Sequence, residues 1–81
     1  MTTTIRTEDK REFTVELTKV TGEPLWNVAL IRGRGLGKES IEIGRVMNSN
    51  GQWYRENGFG WEARPTRKKC LLSLVLAANP A

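Results

Sequence analysis

The sequence predicts an α+β fold: a small antiparallel meander of four to five strands with one C-terminal helix packed on one face. Three observations carry this reading. Apolar and polar residues alternate with a period of two in the first half of the chain, which is the pattern of half-buried strands. Short breaks rich in glycine and asparagine separate those segments. A continuous apolar run, Cys70-Leu71-Leu72-Ser73-Leu74-Val75-Leu76-Ala77-Ala78, follows a proline and a threonine and is long enough for a helix.

Residues 1–11 are polar and mixed in charge, and they read as a flexible tail ahead of a single α+β domain over residues 12–81. In the first expected strand, residues 13–20, Phe13, Val15 and Leu17 share one face and Thr14, Glu16 and Thr18 the other. Thr21-Gly22-Glu23-Pro24 turns the chain into a second strand, residues 25–32, which places Trp26, Val28 and Leu30 on one side. A third strand is expected from Ser40 to Met47, with Gly44 as a bulge. Asn48-Ser49-Asn50-Gly51 is a hairpin turn, because Asn-Gly supplies the positive φ angles that a tight connection needs. Residues 52–56 return as a strand, and residues 61–63 form a short last one. The helix then spans residues 67–78. The expected core is Phe13, Val15, Leu17, Trp26, Val28, Leu30, Ile41, Ile43, Leu71, Leu74 and Val75, with Cys70 buried as a small hydrophobe.

The helix start is the most unusual feature. Thr66 is a competent N-cap and Pro65 discourages an earlier start, so the first turn is Arg67, Lys68 and Lys69. Cations there oppose the helix dipole, by roughly 0.3 to 1 kcal/mol each at low salt. A phosphate or carboxylate bound to the free amides would reverse that sign. Arg64 adds a fourth cation, and no acid follows Glu62. The other reading is a solvated helix end screened by salt.

Composition narrows the function. The chain has 81 residues and a formal charge of +4, with nine cations against four acids in residues 32–81. Such a size leaves a small core and little room for multi-step chemistry. There is no histidine and one cysteine, so no Ser-His or Cys-His pair and no zinc set is available, and no enzyme, metal or cofactor is expected. A lone cysteine suits a reducing compartment, and the N-terminus lacks a signal-peptide core, so a cytoplasmic protein without a membrane partner is expected. The helix is apolar over more than one stripe, which leaves two outcomes: the sheet curls around it, or a homodimer forms through it.

Two further segments bear on binding. Gly33-Arg34-Gly35-Leu36-Gly37-Lys38 resembles a phosphate-binding P-loop, but the first required glycine falls on Arg32, Glu39 stands at the Ser/Thr position, and a strand follows instead of a helix. It reads either as a plain connection or as a basic finger of Arg32, Arg34 and Lys38 that could follow a phosphate chain. Trp53, Tyr54, Phe59 and Trp61 lie close together with Arg55 and Arg64 among them. Strand alternation forbids Trp53 and Tyr54 from sharing a face, so one is a candidate for base stacking or for anchoring a protein. Trp26 and Trp61 are expected in the core.

The stretch from Ile41 to Val75, with its turn, Gly51-x-Trp53 and the Thr66 cap, resembles the three-stranded-sheet-plus-helix DNA-binding domains of phage integrase arms and plant ethylene-response factors. The resemblance covers about half the chain and implies that Arg45, Trp53 and Arg55 contact DNA. The added hairpin of residues 13–32, and Lys69 where a carboxylate would suit, depart from that pattern. Gly58-x-Gly60 with Lys68-Lys69 also resembles the ending of double-stranded RNA-binding domains, whose leading helix and histidine loop are missing here.

The expected function is therefore a small non-enzymatic nucleic-acid-binding protein of phage or plasmid type. Arg64, Arg67, Lys68 and Lys69 would contact the phosphate backbone, assisted by Arg32, Arg34 and Lys38. The alternative is a phage-type inhibitor or adaptor that binds an acidic face of a host complex such as RNA polymerase or a CRISPR effector, anchored by Trp53, Tyr54 or the spare helix surface.

Overall fold

A computed structural model describes residues 1–33, 37–56 and 60–78. Six strands and one helix follow in chain order: β1 (Thr2–Arg6), β2 (Glu12–Lys19), β3 (Leu25–Arg32), β4 (Glu39–Ser49), β5 (Gln52–Glu56), β6 (Trp61–Arg64) and α1 (Arg67–Ala78). The strands form one antiparallel sheet in the order β1-β2-β3-β4-β5-β6, a meander in which every strand pairs with its sequence neighbour. The sheet curls, and α1 lies in its concave side against β1, β4, β5 and β6. Curling is thus the way most of the apolar helix surface is covered.

The strand count is six, not four or five, because the expected flexible tail contains β1. Its sequence, Thr-Thr-Thr-Ile-Arg, looks polar, yet threonine is β-branched and suits an edge strand. Ile5, opposite Phe13, is only 1% exposed and enters the core. The connection to β2 is a tight turn organised by Thr7. Its amide donates to Arg11 O at 2.9 Å, its carbonyl accepts from Lys10 N–H at 3.0 Å, and its hydroxyl accepts from Arg11 N–H at 3.2 Å. Lys10 takes the left-handed conformation there, at φ 66°.

Elsewhere the period-two reading holds. Val15 and Leu17, Val28 and Leu30, and Val46 line the concave side with Cys70, Leu71, Leu74 and Val75 of the helix. Register slips between Val28 and Ala29, which pair with Gly44 and Glu42, so the unpaired extra residue of the bulge is Ile43, next to Gly44. Asn50 and Gly51, at φ 51° and 82°, make the β4–β5 turn, whose Asn48 Oδ1 accepts from Gly51 N–H at 3.3 Å. Two core expectations fail. Ile41 is 39% exposed because the β3–β4 hairpin runs past the end of β5, where β4 has only β3 beside it. Trp61 is 37% exposed because alternation along β6 turns it to the convex face while Glu62 and Arg64 face the helix side.

Candidate functional site

The helix start is built as its residues dictate. Lys69 N–H donates to Thr66 Oγ1 at 3.1 Å, and Cys70 N–H donates to Thr66 O at 3.1 Å, so Thr66 is the N-cap. The first turn contains no acid. Lys68 and Lys69 are exposed, and neither forms an ion pair among the described residues. Arg67 lies against the residue that precedes β1, with Nη1 4.0 Å from Met1 Sδ. Arg64 is engaged differently: its guanidinium bonds Glu62 at 2.7 Å and Ala63 O at 2.8 Å.

The same end of the molecule holds Lys19. Lys19 faces Trp26 across the β2–β3 pair with its ammonium 5.9 Å from the ring centroid, within cation–π range. Trp26 in turn packs on Trp53, centroids 5.5 Å apart, and Trp53 pairs with Arg64. Lys19, Arg67, Lys68 and Lys69 therefore gather around one pole. Lys19 was not singled out from the sequence, since its place beside the helix start depends on how two hairpins stack.

The remaining predicted residues divide. Arg32 and Lys38 flank the β3–β4 connection, at the opposite end of β3 from Trp26; Arg34 lies outside the described residues. At about 3.3 Å per residue, seven steps of strand separate the two ends by roughly 23 Å. They form a second location, not an extension of the first. Trp53 and Arg55 face the helix: Trp53 packs on the core, and Arg55 Nη1 donates to Ser73 Oγ at 2.5 Å with its Nε buried and unbonded. The resemblance implies a sheet face turned away from the helix, and neither residue lies on it. Tyr54 and Arg45 do. Arg45 is bonded to Glu56, with Nε–Oε2 at 3.0 Å, and lies over the Trp61 ring, 5.6 Å from its centroid. The bond to Glu56 holds the Arg45 guanidinium more firmly protonated than usual.

That convex face does not suit phosphate. It carries Arg6 and Arg45 against Glu12, Glu16, Glu42 and Glu56, with Arg6 and Arg45 each paired to one of those acids. Around the helix start the balance is reversed. Among the described residues no group of three His, Cys, Asp or Glu could hold a metal ion, and no helix is long and apolar enough to cross a membrane. Cys70 is fully buried, and burial pushes its thiol up from the ordinary value. The chain matches no family model, no curated protein and no solved structure.

Proposed function

We propose that this protein binds nucleic acid by its phosphate backbone at the helix-start pole, through Lys19, Arg67, Lys68, Lys69 and the free amides of α1. The observation that carries the proposal is the acid-free first turn: two exposed lysines without carboxylate partners beside amides that already favour an anion. The loop cations Arg32 and Lys38 are too far away to touch the same few phosphates, so they extend the contact only along a longer strand. The reading implies affinity with little base preference, since phosphate contacts position a protein without reading sequence. A non-enzymatic accessory role of the phage or plasmid kind fits this chemistry.

The test is a titration of labelled duplex DNA, single-stranded DNA and RNA at several salt concentrations. Four phosphate contacts on duplex DNA give a slope of log affinity against log salt of about −3.6. Lys68→Glu should weaken binding to all duplex sequences alike and flatten the slope by about 1 to 2, the lost contact plus the repulsion of a new acid. Absence of binding at low salt sinks the proposal.

A second reading is favoured by Trp61. Exposed under Arg45 on a face that also bears Tyr54 and Met47, it has the composition of a protein-binding anchor and would serve an inhibitor or adaptor. Trp61→Ala would then abolish capture of a host protein while leaving the salt-dependent titration unchanged.

A further inference from the structure

The sheet does not close on itself. Between the β1–β2 turn and β6 there is a seam, and through it one stripe of α1 faces outward: Lys69, Leu72 and Leu76, spaced three and four residues apart. Leu76 is 43% exposed and Leu72 only half-buried. Two shallow grooves run beside this leucine ridge. One, of about 440 Å³, is walled by Thr7, Glu8, Asp9 and Arg11. The other, of about 330 Å³, is walled by Glu8, Arg64, Lys69 and Ser73.

The charges on the walls are not all spent. Asp9 is bonded to Thr7 and to Arg11, and Arg64 to Glu62. Glu8 and Lys69 are exposed and form no ion pair among the described residues. Lys69 lies at the start of the helix, while the turn carrying Glu8 and Asp9 lies toward Leu76. Glu8 walls both grooves, and Lys10 and Arg11 balance the two acids of its turn, so the leucine ridge is flanked by one unpaired acid, Glu8, and one unpaired base, Lys69.

Such a surface is complementary to itself when turned end for end. We infer that the occupant of the seam is a second copy of this chain, with the two α1 helices packed antiparallel, the Leu72–Leu76 ridge of each in a groove of the other, and Lys69 of each facing Glu8 of the other. A two-fold axis brings the same patch together from both sides, as an isologous interface requires, and ridge-into-groove seating is the ordinary mode of helix packing. Antiparallel helices also oppose their dipoles favourably. Lys69 is then taken up by the dimer contact, which leaves Arg67, Lys68 and Lys19 of each copy for phosphate and lowers the expected salt slope per copy from about −3.6 to about −2.7.

The experiment is sedimentation equilibrium of the full chain from about 5 to 500 µM, a range suited to a small interface. A concentration-dependent dimer is expected, and Leu76→Glu should raise its dissociation constant at least tenfold while leaving the circular dichroism spectrum unchanged, and the thermal midpoint unchanged when both chains are melted at a concentration where they are monomeric. The decisive arm uses two variants. Glu8→Lys alone and Lys69→Glu alone should each be monomeric, because every cross-contact in either homodimer is repulsive. Mixed in equal amounts they should form a heterodimer, because both cross-contacts become attractive. A wild-type chain monomeric over the whole range overturns the inference, as does a dimer indifferent to Leu76→Glu, or a mixture of the two charge variants that stays monomeric. A monomer whose Leu76 is protected only by added DNA or by another protein also overturns it. None of these outcomes depends on phosphate binding through Lys68.

Discussion

At the scale of single residues, Gly44 is a point where the helix packs directly on the sheet backbone. It has φ 147°, a conformation side chains rarely adopt, and a Cβ built there would lie 2.8 Å from Leu74 Cδ2. The bulge and the seating of α1 are therefore one feature: the extra residue bends β4, and the missing side chain lets Leu74 reach the strand. Gly44→Ala should cost about 1 to 3 kcal/mol in a urea unfolding titration, from overpacking and backbone strain together. Adding Leu74→Ala removes the clash but not the strain. The pair should thus lose less than the sum of the two single losses, a departure a double-mutant cycle measures. The glycine marked the bulge to within one residue because it interrupts an otherwise alternating strand, the unpaired residue being its neighbour Ile43. Its contact with Leu74 was not, since nothing in local pattern says which helix residue lands on which strand position.

At the scale of elements, the helix was legible at its start, while its expected stop before Asn79-Pro80 lies outside the described residues. Pro65-Thr66 fixes its start, and Thr66 caps Lys69 as the cap chemistry demands. Thr66→Ala should cost about 1 kcal/mol of folding stability. Lys68→Glu should do the opposite and raise stability by roughly 0.3 to 1 kcal/mol at low salt, an effect that shrinks as salt is added, since it replaces a charge that opposes the helix dipole with one that suits it. The combination of higher stability with weaker DNA binding separates a binding surface from a merely structural one, and thermal melts beside the titration read both. β1 was missed for a physical reason. An edge strand with one inward apolar residue has almost no hydrophobic pattern, so Ile5 alone carried the signal. Ile5→Ala should nonetheless cost about 2 to 4 kcal/mol in the same urea titration, because the site is closed by Phe13 and the core. Trp61 was misplaced for the converse reason. Its size argued for burial, while the four-residue alternation of β6, with Glu62 and Arg64 turned to the helix side, decided its face.

At the scale of the whole molecule, the curled sheet sorts the charge. Acids dominate the convex side, lysines gather at the helix start, and the cations expected to act together are divided between two ends about a strand length apart. That division was invisible in the sequence, because the sheet folds residues far apart in the chain to one pole and sends neighbours of Arg32 to the other. The curl also sets how stability responds to pH. Cys70 lies where the helix meets the sheet, wholly enclosed, and burial outweighs the nearby Arg64 and Arg55 in pushing its thiol above its ordinary value of 9.0. Below that value the thiol is neutral whether the chain is folded or unfolded, so this group adds no pH dependence. Above it the unfolded chain ionises first, and stability falls as pH rises toward the higher folded value. Urea titrations from pH 7 to 10.5 should therefore show a decline beginning near pH 9. Cys70→Ala will be less stable at pH 7, since a buried side chain has been trimmed, but its profile should lack that cysteine-dependent limb. If the two proteins decline in parallel, the alkaline limb belongs to lysines losing charge and not to the enclosed thiol.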